Sequence, residues 1–141
     1  MKKQIFSWKE LKFDIANKNV YPPKPASLLL AKTAIKTIKS NSKVLDMCTG
    51  CGIVAISIAK FVPKTKVFAS DINPNAIAVA KENAKLNSVK VQLILSELYQ
   101  EFNDNEFDLI AVHPPAVPYH PKKDWNMPDG MKIATDGYPD G

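Results

Sequence analysis

Residues 44–61 read Val-Leu-Asp-Met-Cys-Thr-Gly-Cys-Gly-Ile-Val-Ala-Ile-Ser-Ile-Ala-Lys-Phe, and this stretch decides the fold. Its leading apolar residues predict a buried strand that ends at Asp46, and the apolar run from Ile53 predicts a helix. Gly50 and Gly52 lie between them and allow a tight turn and close approach of a ligand, because glycine has no Cβ. A strand, a glycine turn and a helix present backbone N–H groups to one point, which suits a nucleotide-like ligand.

Length and composition indicate one folded domain. The chain has 141 residues, of which 45% are hydrophobic, and this is enough for a packed core. No apolar run approaches the roughly 18 residues of a membrane-spanning helix. Residues 1–10 carry lysines but lack the apolar segment of a signal peptide. We therefore expect a cytoplasmic protein with no membrane partner.

The positive charge of the chain comes from lysine alone. The formal net charge is +5, all 19 basic residues are lysines, and residues 1–40 hold nine of them against Glu10 and Asp14. Such a segment could contact nucleic acid or an acidic protein. A solvated lysine surface is the simpler interpretation, because no arginine and no interleaved aromatic residues support a binding patch.

Cys48 and Cys51 are spaced C-x-x-C inside the glycine turn. A structural zinc site would lack ligands, since the chain has no second pair. A redox dithiol is chemically reasonable, because a helix N-terminus lowers a thiol pKa. We favour the alternative that both are small residues that fill a tight turn.

The remaining pattern predicts alternating strands and helices. Residues 1–20 suggest a hairpin or lid, residues 20–25 an extended proline loop, and Ser27 the cap of a helix over Leu28–Ile38. Pro74 suits the first position of a helix that fades at Leu86-Asn87. No element is predicted beyond the proline loop that starts at His113. The other predicted elements are a helix over 53–61 and strands over 43–47, 66–71, 89–95 and 107–112.

This alternation predicts an α/β fold with a doubly wound parallel sheet. In such sheets, ligands bind beyond the carboxyl ends of the strands. Asp46, Asp71, Glu97 and His113 each follow one predicted strand. We therefore expect these four side chains at one edge of the sheet, where they mark the site.

A dinucleotide is one ligand class that fits the glycine turn. The pattern Gly50-x-Gly52-x-x-Ala55 followed by Asp71 resembles a dinucleotide fingerprint, in which the acid holds a ribose. The dinucleotide hypothesis leaves two features unexplained, namely Asp46 before the glycines and the Pro-Pro pair after the fourth strand.

Several motifs together resemble class I S-adenosylmethionine-dependent methyltransferases, and within them most closely the protein-glutamine N-methyltransferases, which modify release factors and a ribosomal protein. Residues 20–27 resemble the Pro-Arg-Pro-Glu-Thr loop of that family on the substrate side. Residues 134–141 (Ala-Thr-Asp-Gly-Tyr-Pro-Asp-Gly) resemble its Ala-Leu-Asp-Gly-Gly-x-Asp-Gly segment. The core motifs are residues 44–53, Ala69-Ser-Asp-Ile-Asn-Pro-Asn-Ala-Ile-Ala-Val-Ala-Lys-Glu-Asn83, Ser96-Glu-Leu98 and Phe107-Asp-Leu-Ile-Ala-Val-His-Pro-Pro115.

The resemblance implies S-adenosyl-L-methionine as cofactor and assigns residues to it. Gly50 and Gly52 would let the loop pass under the cofactor, and Asp46 would help to hold its methionine end. Asp71 would accept hydrogen bonds from the ribose hydroxyls. Ile72 would pack on the adenine, and Glu97, where the family usually has Asp, would reach the adenine amino group. The other residues that the resemblance places in the cofactor site are Cys48, which replaces the first glycine of the loop, Thr49, Asn73, Leu98 and His113.

The catalytic residues implied by the resemblance are His113, Pro114 and Pro115. The amine methylases of the family have Asn-Pro-Pro-Tyr here, and their Asn oxygen and the next carbonyl orient the target nitrogen. A histidine accepts through one ring nitrogen only when neutral, and Ala116 cannot stack on the substrate. Tyr119 is near enough in sequence to substitute for the aromatic ring. His113 could instead act as a general base, or have no catalytic role.

The resemblance divides the chain into an N-terminal extension with its proline loop, residues 1–25, and a cofactor-binding domain, residues 26–141. The family has a seven-stranded sheet, so a truncated domain is expected, with the fourth strand at an uncovered edge that favours self-association. The expected substrate is a protein amide, as in a release factor or ribosomal protein, or RNA. The alternatives are a nucleic-acid amine methyltransferase, a non-catalytic cofactor-binding module and a nicotinamide oxidoreductase.

Overall fold

The computed structural model describes residues 3–103, 106–116 and 127–135. The strands are β1 (Ile5–Trp8), β2 (Leu11–Asp14), β3 (Lys43–Met47), β4 (Lys66–Asp71), β5 (Gln92–Leu95) and β6 (Leu109–Val112). The helices are α1 (Pro25–Thr37), α2 (Ile53–Phe61), α3 (Pro74–Leu86) and α4 (Asp129–Thr135).

The main sheet is parallel and has the order β5-β4-β3-β6. Strand β3 lies between β4 and β6, and Asp46 is in register with Ala69 on one side and Ala111 on the other. Val44 and Leu45 of β3 are fully buried, as expected for a parallel strand covered on both faces. The predicted doubly wound α/β fold is therefore confirmed.

Helix α2 is the most buried helix of the described chain. Its first six residues, Ile53–Ile58, are all buried, because α2 contacts α1, α3, β3 and β4. A helix that is apolar on all sides has no face for water. This burial fixes the amino end of α2 directly behind the glycine turn.

Helix α1 begins at Pro25, three residues before the predicted start. Lys24 is its N-cap residue, so the prediction that Ser27 caps the helix is wrong. The Ser27 hydroxyl instead accepts a hydrogen bond from the Lys24 amide at 2.9 Å and donates one to the Lys24 carbonyl. Pro25 starts the helix because its fixed φ suits the first helical position.

The N-terminal strands form the predicted hairpin, with Ile5 opposite Asp14. Leu11 and Phe13 of β2 are fully buried and belong to the same core as α2 and the main sheet. The hairpin therefore packs on the rest of the core through apolar contacts.

Two strands are shorter than predicted. Ser88 adopts a φ of +54° and the Val89 amide donates to the Ala84 carbonyl at 3.1 Å, so Val89, the predicted start of the strand, instead closes α3. Phe107 lies outside β6 and packs its ring edge-to-face on Phe68 and Phe102.

Helix α4 is an element that the sequence did not predict. Its seven residues include a glycine and lack a strong apolar period. It docks through Gly130, where an added Cβ would meet the Asn19 carbonyl oxygen at 2.2 Å. Tertiary contact, and not local propensity, therefore accounts for this helix.

Strand β6 ends the main sheet within the part of the chain that the structure describes. Ile110 is 39% exposed and Val112 is 38% exposed, so this edge offers apolar side chains to solvent. Its self-association stays a prediction. Within the described ranges, no helix combines the length and the apolar character that crossing a membrane requires.

Candidate functional site

A cavity of about 210 Å³ opens at the carboxyl ends of β3, β4 and β6. Of the four polar residues predicted there, Asp46, Asp71 and His113 line its wall, and Glu97 does not. Two further segments complete it, residues 20–23 before α1 and Ile133 with Ala134 of α4. The predicted site residues that line the cavity are Asp46, Cys48, Thr49, Gly50, Asp71, Ile72, Asn73, His113, Pro114 and Pro115.

Gly50 supports the predicted approach of a ligand. Its φ is +56°, and a Cβ built on it would have the Tyr21 carbonyl oxygen at 3.9 Å as its nearest atom. The space beside this backbone is therefore open toward the cavity. The Gly50 amide donates to Asp71 Oδ2 at 2.9 Å, which fixes the loop against β4.

Gly52 is a glycine for a different reason from the predicted one, and it does not line the cavity. Its φ is +86°, and an added Cβ would meet Ile56 Cδ1 at 2.9 Å and Ala80 Cβ at 3.1 Å. Gly52 therefore allows α2 and α3 to approach each other, which a sequence pattern cannot distinguish from ligand approach.

Asp46 is a buried carboxylate held at the start of α2. Its Oδ2 accepts hydrogen bonds from the Thr49 hydroxyl at 2.6 Å and from the Ala55 amide at 3.0 Å. The Ala55 amide belongs to the first turn of α2, which has no carbonyl partner within the helix. Burial raises the pKa of Asp46 to about 7, although both hydrogen bonds oppose this shift.

Asp71 joins the glycine turn to the start of α3. Its Oδ2 accepts from the Gly50 amide, and its Oδ1 accepts from the Asn73 amide at 3.0 Å. Burial raises the pKa of Asp71, and hydrogen bonds from the amides of Asn73 and Gly50 oppose the rise. A carboxylate oxygen can accept more than one hydrogen bond, so both oxygens of Asp71 keep capacity for a ligand.

Asn73 lines the cavity, but its side-chain amide forms hydrogen bonds to other segments of the protein. Its Oδ1 accepts from the Asn75 amide at 3.0 Å, which caps α3. Its Nδ2 donates to the Asn19 carbonyl at 2.8 Å, and Gly130 packs against the same group. Asn73 therefore fixes the N-terminal segment and α4 beside the cavity.

Glu97 and Leu98 do not line the cavity. Both are exposed, and Glu97 Oε2 accepts from the Gln100 side chain at 3.3 Å. Leu98 has a φ of +48°, and its carbonyl accepts from the Ser96 hydroxyl, so the chain turns away after β5. Ile72 does line the cavity and is 50% exposed. The role of Glu97 toward the adenine and the place of Leu98 in the cofactor site stay predictions.

The segment His113-Pro114-Pro115-Ala116 leaves β6 and lines the cavity. His113 is exposed, so its side chain is accessible to solvent or to a ligand. Tyr119, and most of the segment 134–141 that resembles a family motif, lie outside the described residues.

Sequence reasoning missed the contribution of α4 and of the apolar floor of the cavity. Cys51, Ile53, Val54 and Ala76 line it beside the predicted residues, and Ile133 closes it from α4. The apolar pattern of α2 predicted burial, but no local signal placed α4 at this position.

The thiols of Cys48 and Cys51 do not have the character of a redox pair. Burial raises the pKa of Cys48 to about 11 and that of Cys51 to about 12. Both thiols are therefore protonated at neutral pH, whereas the reactive form is the thiolate. This favours the interpretation that they are small residues within the turn.

Cys48 has a φ of +59°, a conformation that costs most residues energy but not glycine. We expect Cys48→Gly to raise the free energy of unfolding by up to about 1 kcal/mol, since the added freedom of the unfolded chain offsets part of the gain. Urea unfolding measures this. A Cys48→Val variant should lose stability, because a β-branched residue tolerates positive φ poorly; stability that is equal in both variants would contradict the argument.

The comparison with known proteins agrees with this architecture. Residues 16–128 match the model of the family described as methyltransferase small domain. A Methanocaldococcus jannaschii protein, provisionally named a protein N5-glutamine methyltransferase, is 37% identical over 122 residues, which are 86% of this chain and 59% of that protein. The release factor glutamine methyltransferase of Flavobacterium psychrophilum is 39% identical over 77% of this chain and 40% of its own length.

A solved structure resembles the fold as well. The ribosomal protein L11 methylase of Lactobacillus delbrueckii subsp. bulgaricus superposes with a TM-score of 0.59 at 32% identity, over 69% of this chain and 50% of that one. The chain spans 59% and 40% of the lengths of the two relatives named above. Its sheet is the Rossmann-like sheet of class I methyltransferases, and the chain belongs to the methyltransferase small domain family.

Proposed function

We propose that this chain binds S-adenosyl-L-methionine in the cavity at the carboxyl ends of β3, β4 and β6 and takes part in methyl transfer to a protein glutamine amide. The observation that carries the proposal is the convergence there of Gly50, Asp46, Asp71 and the His113-Pro-Pro segment. The same elements, in the same order, are those that the sequence pattern assigned to a methyltransferase.

The residues present fit a cofactor of this kind. Glycine has no Cβ, so the space beside Gly50 that a Cβ would occupy stays open. A ligand can therefore approach the backbone there. Asp71 offers two carboxylate oxygens to a pair of ribose hydroxyls, and Asp46 offers a carboxylate to the cationic methionine end. When bound, the cofactor supplies a methyl group on a positively charged sulfur.

The methyl acceptor would enter from the side of residues 20–23. These residues and His113 line the same cavity, so the chain provides a wall on the acceptor side. The Pro114 carbonyl and the neutral His113 ring would accept hydrogen bonds from the N–H groups of an amide and orient its nitrogen. We propose the division into residues 1–25 and 26–141 on this basis, with the first part on the substrate side.

Calorimetric titration with S-adenosylhomocysteine tests the cofactor, with NAD as a parallel ligand. We expect binding of S-adenosylhomocysteine alone, and in Asp71→Ala a loss of affinity of at least about ten-fold, the effect of losing one or two hydrogen bonds to a charged group. Asp108→Ala is the matched control, because it removes an exposed carboxylate at the amino end of β6. Binding of NAD instead would overturn the proposal in favour of an oxidoreductase.

A nucleic-acid amine methyltransferase is a second candidate, favoured by the net charge of +5 and the lysine-rich residues 1–40. Incubation with labelled cofactor and either a release factor or RNA separates the two. Methyl incorporation into RNA, with RNA affinity that falls steeply with salt, would favour the second candidate. Cofactor binding without transfer to either would favour a non-catalytic module, consistent with Ala116 in place of an aromatic ring.

A further inference from the structure

Two asparagines, Asn83 within α3 and Asn87 at its C-cap, form hydrogen bonds to the backbone of β2. Asn83 Oδ1 accepts from the Asp14 amide at 2.7 Å, and its Nδ2 donates to the Asp14 carbonyl at 3.3 Å. In the same way, Asn87 Oδ1 accepts from the Lys12 amide at 2.9 Å, and Asn87 Nδ2 donates to the Lys12 carbonyl at 2.7 Å. The hairpin is therefore fixed to α3 by two amide groups that imitate a backbone.

The side-chain amides of Asn83 and Asn87 each have a third hydrogen-bond partner, and this partner is different for the two. Asn83 Nδ2 also donates to the Cys51 carbonyl at 3.0 Å, within the glycine turn. Asn87 Nδ2 instead donates to the Asn83 carbonyl at 2.8 Å, in the helix that Asn87 caps. The two side chains are thus a matched pair in which only Asn83 reaches the cavity loop.

The peptide group between Cys51 and Gly52 forms hydrogen bonds through both its carbonyl and its amide. The Gly52 amide of that peptide donates to the Thr49 carbonyl at 2.9 Å. Its carbonyl, on Cys51, takes the hydrogen bond from Asn83, whose side chain is fully buried. Because Cys48, Gly50 and Gly52 all have positive φ, the turn depends on such contacts to keep its shape.

Asn83 also holds the start of the segment that leads to residues 20–23. The carboxylate of Asp14, the last residue of β2, accepts from the Ala16 amide at 3.0 Å, and the chain then runs to residues 20–23 of the cavity wall. One buried amide therefore connects the glycine turn with the segment that leads to residues 20–23.

We propose that Asn83 is a positioning residue that holds the glycine turn and the N-terminal hairpin in a fixed relation, and so prepares the cavity for its cofactor. This inference rests on the proposed function. Without Asn83 the Cys51–Gly52 peptide loses its buried donor, and the loop beside Gly50 samples other conformations.

The test compares Asn83→Leu with Asn87→Leu in the full chain, and the milder Asn83→Ser with Asn87→Ser in case a leucine variant does not fold. S-adenosylhomocysteine affinity is measured by calorimetry at a temperature where circular dichroism shows each variant fully folded. Both members of a pair should unfold at lower temperature, since both lose a hairpin contact. Only the Asn83 variants should bind S-adenosylhomocysteine about ten-fold more weakly or worse, the loss expected for one buried hydrogen bond.

The Gly52 amide resonance in a ¹H–¹⁵N spectrum provides a readout without ligand. It should move in the Asn83 variants and stay in place in the Asn87 variants, because only Asn83 bonds to the adjacent carbonyl. Equal affinities within a pair, or an unmoved Gly52 resonance in the Asn83 variants, would overturn the inference. If the unchanged protein does not bind S-adenosylhomocysteine, the proposed function fails, and the resonance alone decides on Asn83.

Discussion

Asp46→Asn is expected to raise the free energy of unfolding at pH 8 by about 2 to 4 kcal/mol. Burial raises the pKa of Asp46 to about 7, so above that pH the folded protein holds a buried charge at an energetic cost. Asparagine has no charge, and its side-chain oxygen can accept the same hydrogen bonds from Thr49 and Ala55. The substitution therefore keeps the contacts and removes the cost.

The sign of the pH dependence follows from proton binding. Between pH 4 and 7 the folded carboxyl keeps its proton while the unfolded one, with its ordinary pKa of 3.8, has lost it. The folded state then binds more protons, so the contribution of Asp46 to stability falls as pH rises through this window. The difference between variant and wild type should be near zero below pH 4 and reach its full value above about pH 7.

Urea unfolding of both proteins from pH 4 to pH 8 measures this difference. A difference that stays constant across the window would contradict the buried charge. The same variant should bind S-adenosylhomocysteine more weakly at pH 8, if the ionised Asp46 holds the cationic end of the ligand as proposed. A gain in stability together with a loss of affinity is the trade-off expected for a strained functional carboxylate.

Gly52→Ala is expected to lower the free energy of unfolding by about 2 to 4 kcal/mol, the sum of a backbone and a packing cost. The φ of +86° is unfavourable for alanine, and the new Cβ would lie 2.9 Å from Ile56 Cδ1 and 3.3 Å from the backbone of Ala80. The Ile56 side chain can rotate away, but the helix α3 backbone at Ala80 has to move. Thermal and urea unfolding measure the loss.

Gly50→Ala is the matched control, because Gly50 has a similar positive φ but open space around its Cβ position. We expect a loss of only about 1 kcal/mol there, from the backbone alone. Its effect should instead appear as weaker binding of S-adenosylhomocysteine, since the new methyl group occupies the space proposed for the ligand. Equal stability losses in the two variants would contradict the distinct roles of the two glycines.

The sequence by itself determined the elements whose signals are local. Strands 43–47 and 66–71 and helix 53–61 match the predicted bounds, and α3 starts at Pro74 as expected. Each is bounded by a turn or proline and carries one clear apolar pattern, so neighbouring residues contain the information. The placement of Asp46, Asp71 and His113 at one cavity followed as well, because parallel strands bring their carboxyl ends together.

Only the tertiary structure decided the properties that depend on distance between elements. Both glycines have a positive φ, but Gly50 faces an open cavity and Gly52 a tight helix contact, and no local pattern separates the two. The reach of Asn83 from α3 to Cys51 and the docking of α4 beside Asn73 both arise from packing. The raised pKa of Asp46 has the same origin, since burial is a sum over neighbours that are distant in the chain.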